Sequence, residues 1–348
     1  MKTNHLKTGI TSFIASALLI FFLLNSCSSS KYNKKRHLTV AFYNVENLFD
    51  IENEPGKNDG EFTPTGEKQW TEERYQKKLE DISTVLSSIN VEELPEIIGF
   101  AEVENEKVLR DLVGTGNLKN GNYEIVHYES PDFRGIDCAL IYRPDEFTVL
   151  KSYPVHVIFE NEPDYHTRDI LYVKGIVTNK EEFHVFVNHW PSRIGGVEAS
   201  EPNRVTVATI LKSKIDSVLQ TNSSANIIVL GDMNDEPFNK SLAETLGAAK
   251  PGNGNSALVN LMYPLSDAKQ GSYYYRGNSN MLDNIVVSAG LLDDKGFQCV
   301  DKQGFIFRQE WMEYKSKDGQ VSPNRTYGGP NYYGGISDHF PVYFQLIR

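Results

Sequence analysis

The sequence predicts an α/β protein whose sheets are covered on both faces. Three observations carry that class. Short apolar runs rich in Val, Ile, Phe and Tyr recur along residues 38–348, as strands require. Several are apolar at consecutive positions, the pattern of strands buried on both sides. Two intervening stretches repeat apolar residues at helical spacing instead, and strands mixed with helices give layered α/β architecture.

The strand candidates, in order, are Leu38–Tyr43, Ile97–Ala101, Ala139–Tyr142, Ile170–Val177, Phe183–Val187, Ile227–Leu230, Asn284–Val287 and Val342–Ile347. The first helical stripe is Tyr75, Leu79, Ile82, Leu86 and Ile89, at steps of 4, 3, 4 and 3. The second is Ala208, Leu211, Ile215 and Val218, with Pro202 near its expected first turn. Residues 50–70 and 311–336 lack periodicity and read as long surface loops, a class that is often functional. The acids of the first loop do not match the spacing of a calcium-binding hand. No repeat of 20–50 residues and no Pro- or Ser-rich linker interrupts residues 38–348, so they read as one domain.

Composition narrows the function. Of 348 residues, 40% are hydrophobic and 23% charged, which excludes a disordered or collagen-like chain. Lys and Arg total 35 against 46 Asp and Glu, a net charge of −11. Nucleic-acid binding through bulk positive charge is therefore disfavoured. Any anionic substrate must be met by local cations or metal ions. Three cysteines are too few for a disulfide scaffold.

Residues 1–26 read as a signal peptide. Lys2 and Lys7 precede an apolar run, Phe13–Leu24, that is shorter than the roughly 20 residues a membrane-spanning helix needs. The ending Leu24-Asn25-Ser26-Cys27 resembles the bacterial lipoprotein signal, which implies lipid modification of Cys27. An ordinary secretory signal is the alternative. Residues 27–37 then form a polar tether, and Ser28 suggests, by analogy, the outer membrane. The expectation is a monomer at the cell envelope. Export permits a disulfide between Cys138 and Cys299, and two buried free thiols are equally compatible with the sequence.

Polar residues gather at strand ends. Asn44 and Glu46 follow the first run, Glu102 the second, His189 the fifth, and Asp232 and Asn234 the sixth; Asp338 and His339 precede the last. In layered α/β proteins, sites form where strand ends meet loops. Carboxylate and amide oxygens suit Mg²⁺, and imidazoles suit proton transfer near neutrality. Together they point to metal-assisted hydrolysis of a phosphate ester.

The motifs Tyr43-Asn44-Val45-Glu46, Ala101-Glu102-Val103-Glu104, Asn188-His189-Trp190-Pro191-Ser192, Gly231-Asp232-Met233-Asn234, Leu282-Asp283-Asn284-Ile285 and Ser337-Asp338-His339-Phe340-Pro341 occur in that order. In these the chain resembles the endonuclease/exonuclease/phosphatase superfamily, the DNase I-like proteins, over residues 38–348. Segments 190–196 and 199–202 resemble its bacterial extracellular-nuclease-like branch more than its DNA-repair branch. The resemblance implies a four-layer α/β/β/α sandwich of two packed mixed sheets. It implies Mg²⁺ or Mn²⁺, one or two ions, held by Glu102 with Asn44 and Asp338, and Glu46 as a second-metal or supporting residue. His339 paired with Asp283 would be the general base, or would bind phosphate when charged. His189 would act from the other side, Asp232 near the nucleophile, and Asn234 on a scissile phosphate oxygen. Arg168 is a candidate phosphate contact, and Asp137 a candidate to orient His189. The expected activity is a nuclease cleaving DNA or RNA; alternatives are a phosphatase or phospholipase-type diesterase on inositol phosphates or phospholipids, and a non-catalytic surface lipoprotein.

Overall fold

The computed structural model describes residues 37–177, 180–253, 256–293 and 295–348; the signal segment, Cys27 and the tether to residue 36 lie outside the described residues. Among these, β1 (His37–Leu48), β2 (Ile97–Val103), β3 (Glu124–His127), β4 (Asp137–Tyr142), β14 (Gln298–Cys299), β15 (Phe305–Ile306) and β20 (Val342–Ile347) form one seven-stranded sheet. The second seven-stranded sheet holds β5 (Phe147–Val155), β6 (Ile170–Val177), β7 (Glu182–His189), β8 (Asn226–Asp232), β9 (Ala248–Ala249), β10 (Leu258–Asn260) and β13 (Asp283–Ser288). Both are mixed: β1 pairs β2, and β7 pairs β8, in parallel, while β20 and β13 run antiparallel beside them.

Side-chain alternation along the strands builds the layers. On β1, Val40 and Phe42 point inward to meet Val187, Leu230 and Ile285 of the second sheet. Their neighbours Ala41, Tyr43 and Val45 point outward, under α1 (Glu72–Ser88) and α2 (Glu106–Val113). The other outer face, with Phe186, Ile227 and Val229, is covered by Val207, Leu211 and Ile215 of α3 (Val197–Thr221). The result is the expected helix–sheet–sheet–helix sandwich. Between the sheets the chain uses Gly99: a Cβ there would lie 3.2 Å from both methyl carbons of Val187.

Two features depart from the sequence expectation. The second helix begins at Val197, which places Pro202 inside it rather than in the first turn. Proline there removes a helix hydrogen bond. The turn is held instead by buried Arg204, which donates to Val197 O (2.9 Å) and Ser200 Oγ (2.8 Å) and pairs with Asp235. Residues 311–336 are not a plain loop but carry two hairpins, β16 (Glu313–Lys315) with β17 (Val321–Pro323) and β18 (Tyr327–Gly328) with β19 (Asn331–Tyr332). The remaining hairpin, β11 (Tyr273–Tyr275) with β12 (Asn278–Asn280), and the short α4 (Tyr263–Asp267) lie between β10 and β13. Cys138 and Cys299 are both buried free thiols. No helix of the described residues is long and apolar enough to cross a membrane.

Candidate active site

Parallel pairing sends the C-terminal ends of β1 and β2, and of β7 and β8, to one edge of each sheet, and these edges meet. Asn44 Nδ2 donates to Asp232 Oδ2 across the two sheets (3.1 Å). β13 runs the other way, so its first residue, Asp283, lies directly opposite Asp232, which also pairs with His189 on β7.

The strand ends are sharply turned. Glu46, Glu102 and Asn234 all adopt positive φ, at 49°, 65° and 48°. Non-glycine residues there are strained by about 1–3 kcal/mol each, a cost met mostly where function needs an unusual side-chain direction. Each turn is fixed by a polar cap. Asn44 Oδ1 accepts the Glu46 N–H (3.0 Å), Glu102 Oε2 accepts the Asn47 N–H (3.0 Å), and Asp232 Oδ1 accepts the Asn234 N–H (2.9 Å).

The two histidines are set in opposite states. His339 Nδ1 bonds Asp283 Oδ2 at 2.6 Å, which leaves Nε2, 3.7 Å from Asp232 Oδ2 and 3.9 Å from Asp338 Oδ1. Asp283 is itself held by the Ser272 hydroxyl. Burial disfavours the imidazolium, but Asp283, Asp232 and Asp338 outweigh it and hold His339 well above the usual histidine range. His189 is equally buried, beside Arg168 and Arg134, and these push it well below that range. Its Nε2 lies 3.8 Å from Glu102 Oε1 and 3.7 Å from Asp232 Oδ2, and its Nδ1 has no hydrogen-bond partner. Burial, reinforced by Asp283 and opposed by His339, raises Asp232 above the ordinary carboxylate range. Environments that split paired titratable groups in this way are typical of acid–base machinery.

These groups line a cleft of about 910 Å³ that includes Glu102, His189, Asp232, Asn234, Asp338 and His339. Ligand atoms of Asp232, Asp283 and His339 lie within 4.8 Å of one another, a spacing that would admit an ion. Those three, however, already bond one another or Asn44, Asn234 and Ser272. Glu102 and Asp338 are further carboxylates lining the cleft, and Asn44 Oδ1 retains a second lone pair. That oxygen-donor set fits a hard divalent cation such as Mg²⁺ or Mn²⁺.

Several expected roles change. Asp137 does not orient His189: its oxygens accept the Ser130 N–H (2.8 Å) and bond His127 Nε2 (3.0 Å). Glu46 turns away from the cleft, and both of its oxygens are taken by the backbone N–H groups of Thr326 (2.7 Å) and Tyr327 (3.1 Å). Arg168 lines the cleft but is anchored, donating to Asp132 Oδ2 (3.0 Å) and Trp190 O (2.8 Å). Asn234 Nδ2 shares that Trp190 oxygen (3.0 Å).

Other residues enter from outside the motifs. Arg325 donates to Asp338 Oδ2 (2.7 Å), and Arg134 sits 3.6 Å from Glu102 Oε2. Lys78 is buried behind the site, bonded to Glu46 O, Thr326 Oγ1 and Ile336 O. The sequence held a signal for Lys78: it lies on the apolar face of α1, between Tyr75 and Leu79. Arg325 had none, because its partner depends on the hairpins around it.

Residues 39–348 match the family model described as the endonuclease/exonuclease/phosphatase family. No curated protein sequence matches the chain. Solved structures do. An endonuclease/exonuclease/phosphatase family protein from Bacteroides thetaiotaomicron is 19% identical, covering 90% of this chain and 98% of its own, with a TM-score of 0.55. The mannosyl-6-phosphatase of the same organism is 18% identical, covering 89% and 100%, at 0.55. D. rerio TDP2, complexed with a single-strand DNA product, is 12% identical, covering 89% and 98%, at 0.54. At these identities the likeness is one of fold, and the assignment rests on the family match: this chain belongs to the endonuclease/exonuclease/phosphatase family of phosphoester hydrolases.

Proposed function

We propose that the chain is a divalent-metal-dependent phosphodiesterase that cleaves nucleic acid, exported and lipid-anchored at the cell envelope. The observation that carries the chemistry is the convergence of His189, Asp232 and His339 on the edge where the two sheets meet, in a cleft that Glu102 and Asp338 also line. Glu102 and Asp338, with the Asn44 side-chain oxygen, would hold the metal, which when bound draws charge from the phosphoryl oxygens.

The side chains do the rest. His339, fixed through Nδ1 by Asp283, presents Nε2–H to a phosphoryl oxygen. Asp232, between the two imidazoles, takes the proton of the attacking water. The phosphorus–ester bond then breaks, and the leaving oxygen takes a proton from solvent. Neutral His189 positions the water or a phosphoryl oxygen, and Asn234 and Arg168, both bonded to the Trp190 carbonyl beside it, offer their remaining N–H donors. The anchoring part of the proposal rests on the run ending at Cys27; Cys27→Ser should abolish acylation and release the protein from membranes.

The test is a side-by-side assay of purified protein with Mg²⁺, with Mn²⁺ and with chelator. Substrates are single-stranded DNA, plasmid, RNA, a phospholipid and a sugar 6-phosphate. Metal-dependent cleavage of nucleic acid is expected. Exclusive release of phosphate from the sugar monoester would replace the nuclease reading with a phosphatase one, and turnover of the lipid alone would replace it with a phospholipase.

A further inference from the structure

A second cavity, of about 660 Å³, opens beside the catalytic cleft and shares Asp338 with it. Its size is within the roughly 300–1,000 Å³ usual for small-ligand sites. Three hairpins build it. β11 supplies Tyr274, β16 supplies Tyr314, and β19 with the residue after it supplies Tyr332 and Tyr333. Arg325 lies in the same wall and reaches Asp338 Oδ2, so its guanidinium stands at the boundary between the two spaces.

The tyrosines are arranged, not merely crowded. Tyr274 Oη donates to Gln320 Oε1 (2.7 Å), tying β11 to the β16–β17 turn. Tyr332 is clamped between the Arg74 guanidinium, 4.1 Å from its ring centre, and Tyr327. The Tyr333 ring lies so close over Gly328 that a Cβ there would be 2.4 Å from it. Yet Tyr314 and Tyr333 remain 55% and 60% exposed, presenting aromatic surface that packs no core. Aromatic rings left open beside a phosphoester site suit stacking on planar groups. Four aromatic rings in one wall, with an arginine at its edge, suit a planar base carried next to an anionic phosphate.

We propose that this cavity seats a nucleobase flanking the scissile phosphate of a single-stranded substrate, with Arg325 contacting the phosphate between base and cleft. The proposal rests on the phosphodiesterase reading of the cleft and names the substrate class of that site. It also gives the binding of nucleic acid a source other than net positive charge, which this chain lacks.

The experiment compares, in the metal-loaded full chain, kcat/KM for a short single-stranded DNA and for the same chain made abasic. Wild type should prefer the base-bearing chain. Tyr314→Ala with Tyr333→Ala should lower kcat/KM on it by roughly 5- to 150-fold, the range of one lost base–aromatic stack, and leave the abasic chain unaffected. The corresponding Phe variants should retain the preference, which a general loss of folding would not permit. Cleavage of both chains at equal efficiency by wild type, or a preference untouched by the Ala pair, overturns the base site while leaving the phosphodiesterase reading standing. Cleavage of neither, with either metal, overturns both.

Discussion

Asp283→Asn tests the His339 arrangement with almost no change of volume. The carboxylate accepts from His339 Nδ1 at 2.6 Å and from the Ser272 hydroxyl, in a fully buried setting. A buried charge-assisted hydrogen bond is worth about 1.5–3 kcal/mol. Felt wholly in the transition state, that is roughly 10- to 150-fold in rate. Asparagine can also turn its amide N–H₂ toward Nδ1, which would select the wrong imidazole tautomer and deepen the loss. It further removes the first of the charges that hold His339 protonated, so the pH dependence should move with the rate. The assay is steady-state hydrolysis of a nucleic-acid substrate across pH at saturating Mg²⁺, with melting temperature as the control for folding. The expected result is a fall in kcat of at least tenfold with a displaced pH profile and a retained fold. Activity within threefold of wild type with an unmoved profile would refute the idea that Asp283 sets the state of His339.

Glu96 makes a pH-dependent prediction away from the site. Burial pushes its carboxyl from 4.5 up to about 7, so the folded chain keeps a proton the unfolded chain releases, and stability falls as pH rises through that window. Glu96→Gln, which preserves an acceptor for the Thr39 N–H, should gain on wild type between pH 5 and 8 by at most about 3 kcal/mol; parallel denaturation curves at the two pH values would count against it. Gly99→Ala should cost about 1–3 kcal/mol in a denaturant titration, because the new methyl meets Val187 and Leu230 between the sheets. Binding of single-stranded nucleic acid should depend on salt only modestly: with Arg134, Arg276 and Arg325 as the cations open to phosphate, log K against log salt should slope near about −2.1. A slope several times steeper would mean that a larger basic surface is engaged.

What was legible in the sequence follows from which forces are local. Val342–Ile347 and Ile170–Val177 were readable to the residue, because strand burial writes apolar runs directly. β5 was not: its Thr148, Lys151 and Ser152 dilute the pattern at an edge of its sheet. α2 is a short helix after an Asn105 cap, too brief for a stripe to stand out. The strand-end residues Asn44, Glu102, His189, Asp232, Asp283 and His339 were readable from position and from the family's motifs. Their finer roles were not. Whether Asp137 reached His189 or His127 depended on which side of β4 it faced and on the pairing of β3 with β4. Whether Glu46 faced the cleft depended on a left-handed turn that no composition announces.

The acidic chain and its anionic substrate class are reconciled by where the charges sit. Arg134, Arg168, Arg193 and Arg276 all line the cleft, although the chain as a whole carries −11. Two of them are pinned: Arg168 by Asp132 and the Trp190 carbonyl, Arg193 by Asp235 and the Asn234 carbonyl. Such cations present donors in a fixed direction and lose little freedom when a phosphate arrives. Their partner acids are buried, so the favourable charge faces inward to the reaction rather than outward to bulk polyanion. The same arrangement makes His189 neutral, since Arg168 and Arg134 add to its burial, while the acids around His339 keep that imidazole charged. On the proposed reading, one distribution of charge both attracts the phosphoryl group locally and gives the two histidines different work, without the basic surface that tight, salt-dependent binding of duplex DNA would demand.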